Sequence, residues 1–331
     1  MTEYLAASTF SGCGGSCLGY KQAGFRLAYA AEFVDAAADT YAANFPETYL
    51  DRRDVREIKG QEILDAIGVD KGKVDLLDGS PPCSAFSVAG KRERGWGKVS
   101  AYSDTSQRVD DLFFEFVRLI DEVQPRTFVA ENVAGLTMGT AKGYFLRIRQ
   151  AMRDAGYDVE AKILDAQFLG VPQARRRCIF VGVRNDLGLK PAFPPVDKNV
   201  RTLASCLREG EASEPDASMH SYAVGREWRR MGRPGTQSTK YFQLVRPRLD
   251  RPCPTITQTG SNTGAASVAH PTECRKFSIA ELKRISGFPD DFVLTGTWSE
   301  KYERLGRCVP PPMSKAIGKI IRTRILEQSD G

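Results

Sequence analysis

The residues most able to do chemistry stand in four short runs, three just after an apolar stretch and one just before. Gly79-Ser80-Pro81-Pro82-Cys83-Ser84 follows Val74 to Leu77. Two prolines stiffen the backbone around a thiol, which is a strong nucleophile once ionised. An isolated cysteine is more often a buried structural residue, but a place in a proline-rich loop beyond a strand favours the nucleophile. Phe10-Ser11-Gly12-Cys13-Gly14-Gly15 follows the first apolar run, and Glu32 stands 20 residues after Gly12. Glycines let a cofactor approach the backbone, and a carboxylate at that spacing can accept from ribose hydroxyls. Cys17 replaces the third glycine of a dinucleotide fingerprint, which points to an adenosine-type ligand without a pyrophosphate, and Asp54 could reach the adenine amino group. Glu131-Asn132-Val133 follows Phe128 to Ala130; Glu131 reads equally as a helix N-cap neighbour or as a hydrogen-bonding group aimed at substrate. Gln173-Ala174-Arg175-Arg176-Arg177 enters the apolar run Cys178 to Val183. On an extended backbone Gln173, Arg175 and Arg177 share a face, and the apolar destination implies at least one arginine paired inward.

Elements must place these runs. Strands are expected at Tyr4 to Ala7, Leu27 to Ala31, Val74 to Leu77, Phe128 to Ala130, Val159 to Ile163 and Ile179 to Val183. Helices are expected at Ser16 to Ala23, Val34 to Asn44, Leu112 to Val123 and Tyr144 to Ala155. That alternation predicts an α/β fold with a doubly wound, mostly parallel sheet, whose ligands bind beyond the carboxyl ends of the strands. After about Asn185 the rhythm fails in a Pro-, Gly- and Ser-punctuated stretch, and helical patterns return at Ser278 to Ile285 and Met313 to Leu326. The expected organisation is a catalytic, cofactor-binding domain at 1–185 and 300–331, a small inserted domain at 186–251 and a hinge and return segment at 252–299.

Composition removes other classes. With 331 residues, 41% of them hydrophobic and 27% charged, the chain is an ordinary globular one. No run of about 18 apolar residues predicts a membrane span, and the first residues lack a signal-peptide layout, so the expected location is the cytoplasm. Eight cysteines without a C-x-x-C pair read as free thiols, and two histidines fifty residues apart argue against a His-ligated metal or a His-driven triad.

The ordered set FSGCGG, Glu32, Asp54, PPCS, ENV, QARRR, RPCPTIT and GRCVPP resembles the C5-cytosine DNA methyltransferase family over nearly the whole chain. The resemblance implies a Rossmann-like methyltransferase sheet with an inserted target-recognition domain, S-adenosylmethionine as cofactor and double-stranded DNA as partner. It places Phe10 on the adenine, Gly12 and Gly14 along the methionine end, Glu32 on the ribose and Asp54 on the adenine edge. Pro82 and Leu112 border the pocket, and Cys13, Phe33, Val55, Arg307 and Val309 complete the cofactor set. Cys83 becomes the nucleophile on cytosine C6, Glu131 (protonated) sits at N3, and Arg175 and Arg177 support the base and the carboxylate. The target cytosine is flipped out of the duplex, because both faces of the ring must be reached. The segment 84–108 reads as a closing loop whose Ser87, Lys91, Arg92 and Arg94 meet DNA; a plain surface loop is its alternative. The region from Asn185 to Arg251 reads the sequence, with Arg226, Arg229, Arg230, Arg233 and Lys240 as DNA-binding residues. A monomer encoded by a bacterium, archaeon or phage is expected, with a cognate restriction endonuclease as a candidate partner.

One motif departs from the family. Gly306-Arg307-Cys308-Val309 stands where Gly-Asn-Ala or Ser-Val is usual. A guanidinium beside a sulfonium needs an anion between them or must turn away. That anion could be the cofactor's own carboxylate, a DNA phosphate, or a carboxylate on the transferred group. The last makes the donor carboxy-S-adenosylmethionine and the product 5-carboxymethylcytosine. A non-catalytic DNA-binding paralogue and a transfer-RNA cytosine methyltransferase are competing readings; a nicotinamide dehydrogenase explains neither PPCS nor QARRR. Charge favours a polyanion. Residues 226–251 carry net +6, 84–108 net +3 and 170–184 net +4, so the remainder is acidic beneath a whole-chain +6.

Overall fold

The computed structural model describes residues 3–82, 100–102, 105–107, 112–139, 141–211 and 214–330. The chain forms two compact units, Met1–Leu164 with Arg176–Pro195 and Ser314–Gly331, and Asp165–Arg175 with Val196–Met313. These bounds differ from the expected ones. The second unit also holds 165–175 and extends to Met313, because RPCPTIT and the GRCVPP helix hydrogen-bond to the QARRR segment within it.

The first unit is built on seven strands: β1 (Tyr4–Thr9), β2 (Phe25–Ala31), β3 (Tyr49–Asp51), β4 (Leu76–Gly79), β5 (Thr127–Val133), β6 (Tyr157–Asp165) and β7 (Arg176–Arg184). Their order is β3-β2-β1-β4-β5-β7-β6. The pairs β1/β2, β2/β3, β1/β4 and β4/β5 are parallel. Such strands are covered on both faces and read as continuous apolar runs, as Ala7, Ala30, Leu76 and Leu77 do, all fully buried. The crossovers carry α1 (Gly15–Gln22), α2 (Asp35–Asn44), α3 (Gly60–Ile67), α4 (Leu112–Val123) and α5 (Ala141–Asp154). Winding reverses between β1 and β4, so the loops after these two strands open on a shared crevice.

Strand β7 runs antiparallel to β5, with Arg177 opposite Val133 and Ile179 opposite Glu131. Only a short 3-10 turn at Ala166–Leu169 and a two-residue strand separate β6 from β7, and a parallel return needs a longer crossover. The final helix, expected as one piece from Met313 to Leu326, is α9 at Pro311–Ile321 followed by a π turn at Arg322–Leu326. Gly318 brings α9 close to α1 and β2. A Cβ there would lie 2.9 Å from Tyr20 and 3.0 Å from Ala23.

The second unit is poor in regular structure. Its helices among the described residues are α6 (Ala223–Arg230), α7 (Ile279–Ile285) and α8 (Trp298–Arg307). Met219, Val224, Trp228, Leu244, Ala269 and Cys274 form a small apolar core. Beside it Glu281 takes both terminal nitrogens of Arg275 and faces His270. These partners pull its carboxyl down to about 2 in spite of burial. Two bonds close the neck of the 203–251 stretch: Leu203 N donates to Arg251 O at 2.8 Å, and Ala204 N to Leu249 O at 3.0 Å.

Candidate active site

The turn after β1 is unusual in its backbone. Phe10, Gly12 and Gly14 all have positive φ, at 53°, 55° and 86°. For Phe10 this left-handed conformation costs on the order of 1 kcal/mol. The two glycines serve different needs. At Gly14 a Cβ would strike the Phe45 ring at 2.3 Å, whereas at Gly12 it would meet nothing within 4 Å and point into open space. Glu32, at the end of β2, fixes this turn: its Oε2 accepts from Gly12 N at 2.8 Å and its Oε1 from Val34 N at 2.9 Å.

Around these groups lies an open cleft of about 470 Å³, part of it bulk solvent, lined by Phe10, Gly12, Ala31, Glu32, Phe33, Arg53, Asp54, Val55, Pro82 and Leu112. Eight of the residues expected to hold a cofactor meet here. Cys13 and Gly14 do not line it; Cys13 is buried and Gly14 packs on Phe45. Arg307 and Val309 lie in the second unit. Two lining residues escaped the sequence reading, Ala31 and Arg53. Arg53 pairs with Asp51 at 2.7 Å and Glu62 at 3.0 Å. Asp54 accepts from Arg56 through both carboxylate oxygens.

The end of β4 is held from below and from the side. Asp78 is fully buried and accepts from Ser16, Tyr20 and Ser8. Burial pushes its carboxyl up to about 6, and those hydroxyls offset only part of the shift. Asn132 on β5 donates its Nδ2 to Pro81 O at 3.1 Å, which ties the proline loop to the neighbouring strand. Asn132 stands beside Glu131 in ENV, and nothing in the sequence signals this tie. Cys83, Ser87, Lys91, Arg92 and Arg94 lie outside the described residues.

Glu131 and Arg177 are brought together. Arg177 Nε lies 2.6 Å from Glu131 Oε1, with both side chains only slightly exposed, at 13% and 12%. The ladder explains the meeting, since the two are diagonal neighbours on one sheet face. Antiparallel β7 delivers its first residues to the carboxyl edge, where β5 ends; a parallel strand would have put Arg177 at the opposite edge.

Arg175 is buried. Expected beside the base, it is 1% exposed and donates to Ile256 O at 2.9 Å and Gly306 O at 3.0 Å. Burial alternates along 173–177, with Gln173, Arg175 and Arg177 more buried than Arg176, as a shared face requires, while the unit boundary falls after Arg175. Gln173 joins Arg175, its Oε1 accepting from Ile256 N. Cys253 N donates to Pro172 O, and Thr255 Oγ1 to Ala174 O. At Gly306 a Cβ would lie 2.6 Å from Gln258 N. Three motifs far apart in sequence are thus one hydrogen-bonded knot.

The expected DNA-binding residues of the second unit are all exposed, though not alike. Arg230 pairs with Glu227 at 2.8 Å, and Arg229 reaches His220 and the Cys274 sulfur. Among the described residues Arg226 and Arg233 have no ion-pair partner. Arg246, counted in the basic excess, is buried over the Trp228 ring and donates to Pro271 O.

The model of the family "C-5 cytosine-specific DNA methylase" matches residues 5–323. The chain belongs to this family. It is 31% identical to the Type II methyltransferase M.Eco47II of Escherichia coli, over 96% of this chain and 78% of that one. It is 30% identical to M.MthTI of Methanothermobacter thermautotrophicus, over 96% of each. A prophage-encoded E. coli protein, solved as a candidate DNA modification methyltransferase, superposes with a TM-score of 0.77 at 23% identity, covering 98% of this chain and 100% of that one. That likeness establishes a shared fold. The family uses S-adenosylmethionine as methyl donor. Among the described residues no acidic, His or Cys group could hold a metal, and no helix is long and apolar enough to cross a membrane.

Proposed function

We propose that this methylase transfers a methyl group to C5 of a cytosine flipped out of double-stranded DNA, with Cys83 as nucleophile. The observation that carries the reading is the junction of β4 and β5. There Asn132 ties the Pro81-Pro82 loop, which leads to Cys83, beside the strand end that holds Glu131 against Arg177. Cytosine C5 alone is too weak a nucleophile. Addition of the Cys83 thiolate to C6 makes C5 electron-rich, and negative charge builds toward N3 and O2. Glu131, entering as the acid, donates its proton to N3 and takes it back as the ring regains aromaticity, and Arg177 both holds Glu131 and offsets charge near O2, contacts worth about 3 kcal/mol each in a dry site. S-adenosylmethionine, when bound, supplies the methyl electrophile. C5 gains the methyl, water removes the C5 proton, and the C6–S bond breaks to return the thiolate.

The cleft fits this donor. Phe10 offers a ring face to adenine, Glu32 offers acceptors to ribose hydroxyls, and the space beside Gly12 admits a substituent close to the backbone. The 186–251 region is assigned to target reading, and the Type II names of the relatives support a restriction endonuclease as partner.

Incubation with a duplex containing 5-fluorocytosine and S-adenosylmethionine should leave a covalent protein–DNA adduct, which Cys83→Ser abolishes. The absence of an adduct with DNA would support the non-catalytic reading, and an adduct with transfer RNA alone would move the substrate to RNA. The carboxymethyl alternative rests on Arg307, which already pairs with Glu303 at 2.7 Å on α8. Supplying both donors and digesting the DNA for mass spectrometry separates the two; 5-methylcytosine is the expected product.

A further inference from the structure

Phe242 is 82% exposed, the most open large apolar side chain among the described residues. Its backbone is nevertheless held firmly. Thr236–Gln237 pairs with Val245–Arg246 to form a small hairpin. Across its tip Ser238 N donates to Leu244 O at 2.9 Å and Leu244 N to Tyr241 O at 2.7 Å. Gln237 Nε2 donates to Phe242 O at 2.6 Å. Ser238 Oγ accepts from Lys240 N and Tyr241 N, and donates to the buried carboxylate of Glu227 on α6 at 2.6 Å. Leu244 roots the hairpin in the small apolar core. The tip is therefore pinned while Phe242, unlike Tyr241 and Leu244, points into solvent.

The charge around it selects the occupant. Of the six arginines and lysines in 228–249, Arg246 is buried and Arg230 and Arg248 pair with Glu227 and Asp250, which leaves Arg229, Arg233 and Lys240 as exposed cations without a carboxylate partner among the described residues. Lys240, two positions from Phe242, is exposed, its ammonium 5.3 Å from the Tyr241 ring centre. Cations position a protein on phosphates without reading sequence, while apolar side chains meet base edges, thymine methyls or opened base steps. We infer that Phe242 is the residue by which this hairpin touches the bases of the target duplex, with Lys240 on an adjoining phosphate. The inference rests on the reading of the second unit as the DNA-reading part.

The test compares full-length wild type, Phe242→Ala and Lys240→Ala on a duplex library with randomised positions around cytosine, read by bisulfite sequencing, with filter binding across a salt series. Phe242→Ala should reduce the preference for the favoured sequence at least tenfold at one position and leave the salt slope unchanged. Lys240→Ala should keep the preference and lower the salt slope by about one. An unchanged site ranking in Phe242→Ala overturns the inference. So does a dimer of the wild type that Phe242→Ala dissolves in sedimentation, since the aromatic would then face a second copy. If wild type modifies RNA or nothing at all, the proposed function itself fails; methylated DNA with an unaltered ranking sinks only the role of Phe242.

Discussion

Arg175 and Arg177 are one residue apart and do unrelated work. Arg177 meets the acid at the sheet edge, whereas Arg175 spends its terminal nitrogens on two backbone carbonyls separated by fifty residues of chain. A buried carbonyl left without a donor costs roughly 1–3 kcal/mol. Arg175→Met should therefore lower stability by about 3 kcal/mol, read in urea denaturation, with cofactor affinity at the first unit intact. Stability within 0.5 kcal/mol of wild type would mean that water replaces the guanidinium. The sequence made both arginines visible but could not sort them. Alternation gives the face but not the partner, and the partners of Arg175 lie 81 and 131 residues away. By contrast Glu32 was legible, because its partner Gly12 belongs to the adjacent βα unit at a spacing the fold imposes.

At the scale of elements, β7 decides what the sheet can do, since its reversed direction puts QARRR and ENV at one edge. It fits there because Gly182 lies directly opposite Phe128, whose ring covers it; a Cβ at Gly182 would sit 2.0 Å from that ring. Gly182→Ala should cost about 1–3 kcal/mol by overpacking, seen as a lowered melting temperature. Phe128→Leu in the same background should recover part of it, and no recovery would place the strain elsewhere. Most strands and helices of the first unit were readable from apolar runs, with ends within three residues; β3 and α3 were not, being short elements of three and eight residues. Helix α8 was missed because Trp298, Tyr302 and Leu305 make a thin stripe. The signal was the capping box, in which Thr297 Oγ1 accepts from Glu300 N and Glu300 reaches back to Thr297 N.

Across the whole molecule, the local basic excess is smaller than the sequence count suggests. Arg246 is a core residue, Arg230 is neutralised by Glu227 and Arg248 by Asp250. Of the eight cations in residues 226–251, whose formal net charge is +6, five are therefore left on the surface without a carboxylate partner among the described residues. Arg226→Ala with Arg233→Ala should lower the salt slope of DNA binding by nearly two, at about 0.9 per phosphate contact, whereas Arg230→Ala should change it by less than half a contact. Equal effects would mean that the Glu227 pair opens on DNA. Charge was legible as composition; its division between surface and core was not, because it depends on the burial of Trp228. The neck at Leu203 and Arg251 has a different consequence. Since the chain enters and leaves the 203–251 stretch through adjacent hydrogen bonds, that stretch is a cassette. Doubling its length costs only about 0.6 kcal/mol in closure entropy, but α6 and the Phe242 hairpin share their core with Ala269 and Cys274 and bond to His270 and Pro271. Recombination that exchanges them must therefore carry the 266–276 segment as well, and it can do so without altering a residue of the cleft or of the Glu131–Arg177 pair.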